Sequence, residues 1–233
     1  MQIHGLNKTT LLDYPGHVAA TIFLGNCNFR CPFCQNRDLV LDPASQPVIP
    51  ITEILDFLKL RSGVLSGVCI TGGEPTLQTD LPEFISAIKE LGYLVKLDTN
   101  GSNPRMIKTL YEHHLIDYVA MDIKSSPHHY AKVAGLTVDK LDLSAVKRSV
   151  EYLMSCGIHY EFRTTVVKEL HDATDFTAIA DWIGGCEAYY LQAYKDSDTV
   201  IQQGFHSYTK EELLTFLDIL KPSIATVALR GID

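Results

Sequence analysis

The chain has 233 residues, 46% of them hydrophobic, and a formal net charge of −8. That length suits one domain, residues 1–233, with an ample core, and the acidic balance argues against broad attraction to nucleic acid. No apolar run reaches the ~18 residues of a membrane span, and Met1-Gln2-Ile3-His4-Gly5 lacks the basic and apolar regions of a signal peptide, so a cytoplasmic protein with reduced thiols is expected.

Residues 1–17 read as a short, turn-rich N-terminal extension, with Asp13-Tyr14-Pro15-Gly16 as a turn between two extended pieces. Residues 18–24 form a compact apolar run and are predicted to be a buried strand. Residues 35–50 carry Pro43, Pro47 and Pro50 and read as a long loop. A helix is predicted from Ile51 to about Arg61, with Thr52 as its N-cap. Strands follow near 67–71, 93–97, 117–123, 158–167, 188–193 and 225–229. Helices are predicted between them, over 80–91, 104–114, 143–154, 173–183 and 210–220. Residues 125–142 read as a long polar segment holding Pro127, His128, His129 and Gly135, and Gly157 ends the helix after it. Alternating strands and helices imply a parallel sheet with helices on its outer side. Six or seven strands are too few to close an eight-stranded barrel, so an open or partial sheet is expected.

The chemistry centres on Cys27-Asn28-Phe29-Arg30-Cys31-Pro32-Phe33-Cys34, where three cysteines are spaced C-x3-C-x2-C. Thiolates gathered this way suit zinc or an iron–sulfur cluster. No fourth Cys or His stands close by, so a cubane held here would keep one iron open. A zinc site completed by a distant His, or three buried thiols, would also fit the spacing. Cys69, Cys156 and Cys186 are scattered and read as small buried apolar residues.

Active sites of parallel α/β folds form beyond the carboxyl ends of strands. Polar and glycine-rich residues collect at those ends: Gly72-Gly73-Glu74-Pro75, Asp98-Thr99-Asn100-Gly101, Asp122-Ile123-Lys124 and Gln192-Ala193-Tyr194, with Arg163 inside a strand. Asp98 and Asp122 on neighbouring ends could share a proton or bind a cation. His113-His114 end a predicted helix, where positive charge is favourable. His128 and His129 read as a solvated loop pair.

The cysteine motif, with Phe33 in an aromatic position, resembles the signature of the radical S-adenosylmethionine (SAM) superfamily. Gly5-Leu6-Asn7-Lys8-Thr9, Asp13-Tyr14-Pro15-Gly16, Cys34-Gln35-Asn36 and Leu229-Arg230-Gly231 extend the likeness. They resemble the glycyl-radical-enzyme activases, most of all those serving anaerobic ribonucleoside-triphosphate reductase, with the pyruvate formate-lyase type as the next match. One departure is Gln35, where many activases have His.

The resemblance implies a partial (β/α)6 barrel and one [4Fe-4S] cluster on Cys27, Cys31 and Cys34. It implies SAM held by Phe33, Gly72, Gly73, Glu74, Asp98, Asp122, Lys124 and Arg163. Asp98, Thr99 and Asp122, with the main chain of Ala120, match the monovalent-cation ligands of the pyruvate formate-lyase activases. The implied reaction is reductive cleavage of SAM, giving a 5′-deoxyadenosyl radical that takes the α-hydrogen of a glycine in a partner enzyme. A flavodoxin or ferredoxin-type protein would supply the electron. Neither nucleic acid nor membrane is expected as a partner. A small-molecule radical SAM enzyme, such as a deazapurine synthase, would carry the same cluster and SAM motifs.

Overall fold

Strands and helices alternate along the chain in the computed structural model, which describes residues 1–232. Among the described residues there are eight strands. Two compact units divide the chain, and each builds its own stretch of sheet.

The first unit comprises Met1–Asn28, Asp38–Thr99 and Asn103–Ala120. It holds β1 (Ile3–Thr10), β2 (Ala19–Leu24), β3 (Gly67–Gly72), β4 (Leu94–Thr99) and the start of β5 (Tyr118–Asp122). Strands β2, β3 and β4 are parallel neighbours, with Ala20 opposite Val68 and Val68 opposite Val95. Ala19, Ala20, Ile22, Leu24, Val68, Cys69 and Ile70 are all buried. Burial on both faces is why these strands read as continuous apolar runs rather than alternating ones.

β1 is the eighth strand; the sequence offers only an extended piece before the Asp13-Tyr14-Pro15-Gly16 turn, outside the six or seven strands expected. It pairs antiparallel with β2. Its sequence, Ile-His-Gly-Leu-Asn-Lys-Thr-Thr, is polar and half-buried, and two irregularities break its register. An edge strand needs to bury only part of itself, so it left little hydrophobic signal.

The helices of this unit are α2 (Ile51–Leu60), α3 (Leu81–Glu90) and α4 (Pro104–Glu112). The short α1 (Arg37–Leu41) and a 3-10 turn at Pro43–Ser45 interrupt the loop expected over 35–50. The cap of α2 is Pro50, not Thr52, and no side chain bonds its first amides. Proline has no amide to satisfy and a φ already set for entering a helix. Asp80 stands at the N-cap of α3, but its carboxylate takes the N-terminal ammonium of Met1 at 2.6 Å instead of a helix amide.

The second unit comprises Phe29–Arg37, Asn100–Ser102 and Met121–Asp233. Here β6 (His159–Val166), β7 (Ala188–Ala193) and β8 (Thr226–Arg230) run parallel in chain order. The helices of this unit include α6 (Leu143–Cys156), α7 (Ala173–Ile183) and α8 (Lys210–Leu220), and α8 packs on both α7 and β8. Phe176 of α7 and Phe216 of α8 stack with ring centroids 4.5 Å apart. Arg230 makes two bonds to the buried carboxylate of Glu161, at 2.6 and 2.7 Å, and lies 3.5 Å over the Tyr190 ring. Gly157 ends α6 with φ +87, as expected.

The polar stretch 125–142 contains α5 (Tyr130–Val133). His129 is not simply solvated: its Nδ1 lies 2.9 Å from Asp175, whose carboxylate also accepts from Ser125 and Ser126. Cys69 and Cys186 are buried as expected, whereas Cys156 is only half-buried. Among the described residues no helix is long and apolar enough to cross a membrane.

Candidate functional site

In the first unit, β3 ends at Gly72, and Gly72 and the following Gly73 are pressed against the backbone that leads out of β2. The Gly73 amide donates to the Leu24 carbonyl at 2.8 Å, and the Glu74 amide to the Asn26 carbonyl at 2.7 Å. A Cβ on Gly73 would fall 1.9 Å from the Asn26 carbonyl oxygen, and one on Gly72 2.2 Å from that of Leu24. Gly72 also has φ +121. Glycine is therefore required at both positions for this backbone approach. The residue after Asn26 is Cys27, so the two glycines set the path of the chain entering the cysteine loop.

Glu74 is fully buried. Its Oε1 accepts from the Thr76 amide at 3.1 Å, the Thr76 hydroxyl at 2.5 Å and the Thr99 hydroxyl at 2.7 Å. Three donors on one oxygen offset the cost of taking a carboxylate out of water. Thr99, expected beside a cation, is thus tied to Glu74. Asp98 forms a close ion pair with Lys96, a lysine only 1% exposed on β4 whose Nζ also lies 3.8 Å from the Cys69 sulfur. Sequence reasoning passed over Lys96 as part of the strand. The available signal was its spacing: residues two apart on a strand share a face.

In the second unit, Asp122 at the end of β5 lies between two cations. Its Oδ1 accepts from Arg163 Nε at 2.7 Å, and its Oδ2 from Lys124 Nζ at 2.8 Å. Burial works to raise the Asp122 carboxyl, but Lys124 and then Arg163 outweigh it and hold it well below the ordinary range. Burial would likewise lower Lys124, yet Asp122 and then Cys31 hold it charged and above its ordinary value. The Lys124 carbonyl is fixed in turn by His171, which lies 2.8 Å away through Nε2 and takes the Val167 amide on Nδ1 at 3.1 Å.

Cys31 and Cys34 stand on the loop of this unit, with the Phe33 ring buried between them in sequence. Burial pushes the Cys31 thiol up to about 11, with Lys124 pulling the other way, and it raises Cys34 too. A metal would have to displace those protons. The loop is seated by Ala134 and Gly135. The Arg30 amide donates to the Ala134 carbonyl at 2.9 Å, and Gly135, with φ +67, lies so close that a Cβ would fall 1.9 Å from the Arg30 carbonyl oxygen. Nothing in the sequence marked Gly135 as part of the site.

These residues fit an iron–sulfur cluster. Cys31 is buried, Lys124 is a nearby positive charge, and the loop is held by a backbone contact that only glycine permits. Each thiolate of a cubane binds its own iron, so its donors need not meet at one point. Among the described residues no three His, Cys, Asp or Glu side chains are grouped to hold a single metal ion. Of the residues expected at the site, the structure joins Asp122, Lys124 and Arg163 in one network, Glu74 and Thr99 in a second, and Asp98 with Lys96 in a third.

The family model described as Radical SAM superfamily matches residues 21–183. A protein of Methanocaldococcus jannaschii bearing the provisional name glycyl-radical enzyme activating enzyme is 31% identical over 99% of this chain and 96% of its own length. The 7-carboxy-7-deazaguanine synthase of Neisseria meningitidis is 29% identical over 60% of this chain and 59% of its own. A pyruvate formate-lyase-activating enzyme of Listeria monocytogenes is 28% identical over 57% of each chain. Among solved structures, Streptococcus suis SuiB superposes with a TM-score of 0.68 at 15% identity, covering 90% of this chain. This chain spans about half the length of that protein, 48%. The superposition shows the fold, an open parallel α/β sheet flanked by helices.

Proposed function

The chain belongs to the radical SAM superfamily and is similar along its whole length to a glycyl-radical-enzyme activating enzyme; from that premise we propose that its target is anaerobic ribonucleoside-triphosphate reductase. It is an enzyme of the radical SAM activase type, with a [4Fe-4S] cluster and SAM as its cofactors. The observation that carries the activase reading is the 31% identity over 99% of the chain. The choice of reductase rests on the N-terminal and cysteine-loop residues, from Gly5-Leu6-Asn7-Lys8-Thr9 through Cys34-Gln35-Asn36.

In this reading the whole chain acts as one catalytic domain in the cytoplasm, and a flavodoxin or ferredoxin-type donor supplies the electron. Cys27, Cys31 and Cys34 hold the cluster. Bound together, cluster and SAM supply a 5′-deoxyadenosyl radical able to take the α-hydrogen of a glycine. Glu74 accepts from the methionine amine. Lys124 meets the methionine carboxylate, kept charged for that role by Asp122. Arg163 braces the same network, and Phe33 lends apolar contact. A monovalent cation on Asp98, Thr99 and Asp122 would have to displace or share the lysine and arginine contacts of the two aspartates.

The test mixes reduced protein and SAM, without oxygen, with the ribonucleotide reductase or with pyruvate formate-lyase. Electron paramagnetic resonance should show a glycyl doublet with the reductase alone, alongside 5′-deoxyadenosine. A doublet with the lyase alone would move the target to the lyase. The match to a deazaguanine synthase gives a second reading, in which SAM is cleaved without any glycyl signal and an added small metabolite is turned over.

A further inference from the structure

The loop that carries Cys31 and Cys34 is fastened a second time, by the segment that follows β7. The Ile201 amide donates to the Cys34 carbonyl at 3.1 Å, and the Gln202 amide to the Pro32 carbonyl at 2.8 Å. In the other direction, the Gln35 side-chain amide donates to the Lys195 carbonyl at 2.8 Å, and the Arg37 guanidinium to the Asp198 carbonyl at 3.0 Å. All four bonds fall within three residues of Cys34.

The segment is anchored at both ends and in its middle. Tyr194 is buried, and its hydroxyl donates to Asp196 at 2.8 Å. Val200 is only 1% exposed, a plug in an otherwise largely open stretch. Further on, the Ser207 hydroxyl donates to the Tyr194 carbonyl at 2.6 Å, and the Lys168 amide to the His206 carbonyl at 3.0 Å. Between these anchors the backbone is irregular, so its position depends on specific bonds rather than on a helix or sheet ladder.

We propose that residues 195–202 form a strap over the Cys34 side of the cluster loop, positioned by Gln35, which limits the access of oxidants and chelators to the cluster. The residue types suit the task. Gln35 is itself exposed, so burial does not compel its amide to find a protein partner. An amide donor also does not titrate, so this fastening holds across neutral pH, unlike an imidazole in the same place. Of the remaining bonds, two are backbone to backbone at Pro32 and Cys34 and one comes from the Arg37 guanidinium, so lifting the strap exposes those two carbonyls beside Cys34.

The inference rests on the assignment of the cluster to Cys27, Cys31 and Cys34, and its test keeps the two ideas apart. Wild type, Gln35→Ala and Gln35→Glu are reconstituted anaerobically, assayed for iron and sulfide, and exposed to air or to an iron chelator. Loss of one neutral bond shifts an opening equilibrium about two- to tenfold. Both variants should therefore hold as much iron as wild type without oxygen and lose its visible absorption about two- to tenfold faster. In the metal-free proteins the Ile201 and Gln202 amides should exchange hydrogen faster by a similar factor, with the thermal midpoint unchanged. Equal bleaching rates, or equal exchange at those two amides, would overturn the strap. A wild type that holds no iron would overturn the cluster assignment, while the exchange measurement still decides the strap.

Discussion

Replacing Gly135 by alanine is the sharpest test of how the cysteine loop is seated. The added Cβ would fall 1.9 Å from the Arg30 carbonyl oxygen, 1.1 Å short of the 3.0 Å below which real Cβ contacts are essentially not seen. The backbone there has φ +67, which costs an alanine about 1–2 kcal/mol. Forcing an extra methyl into a packed site costs about 1–3 kcal/mol more. If the loop stays in place, the variant loses about 2–5 kcal/mol, or roughly 4–20 °C of midpoint at this chain length. If the loop retreats instead, a shift of that size takes the 2.9 Å bond from the Arg30 amide to Ala134 out of hydrogen-bond range. Cys31 is the next residue, so iron uptake should suffer in either case. The assay is iron bound per chain after anaerobic reconstitution, with Gly185→Ala as control. Gly185 has φ +85 but nothing within 4 Å of its would-be Cβ, so that change carries the backbone cost alone. Iron in Gly135→Ala equal to that in Gly185→Ala would refute the seating.

Asp122→Asn should leave the cluster in place but weaken SAM binding about ten- to hundredfold by titration, since an ionic hydrogen bond contributes about 1.5–3 kcal/mol; wild-type affinity should also change with the monovalent cation, and indifference to both would remove the cation site. Burial depresses His171, against the bonds to Lys124 and Val167 that raise it. The unfolded chain therefore binds a proton below about pH 6.5 that the folded chain does not, and stability should be flat above that pH and fall below it; thermal midpoints of His171→Asn should lose that acid-side slope, and an unchanged slope would exclude the residue as its source. Arg230→Ala leaves Glu161, 1% exposed on its side chain, without its guanidinium; about 3–5 kcal/mol should be lost, and a midpoint within about 2 °C of wild type would contradict it.

The strand–helix alternation was legible because doubly buried parallel strands carry unbroken apolar runs. β1 was not, because an edge strand with one neighbour and a broken register needs no such run. The cysteine loop was legible because its three donors fall within a stretch of eight residues, Cys27 to Cys34. The two segments that fix that loop were not. Gly135 and residues 195–202 act through backbone atoms on partners roughly a hundred or more positions away, and a backbone carbonyl leaves no trace in residue identity.

The charged pairs lie between these cases. Lys96 stands two residues before Asp98 inside β4, so the strand turns both side chains to one face, and Lys124 lies two residues past Asp122, just beyond the end of β5. A carboxylate at the end of a buried strand must be stabilised by something other than water, and a lysine at that spacing is the nearest cation the chain can offer. A cation shared by Asp98 and Asp122 would have to compete with the lysine that each aspartate already pairs with. The two pairs differ in a way that matters for SAM. Lys96 is almost fully enclosed, whereas Lys124 retains some exposure and sits beside Cys31 in its electrostatic reach. It is therefore Lys124, rather than the enclosed Lys96, that the proposed function assigns to the carboxylate of SAM, while Lys96 pairs with Asp98.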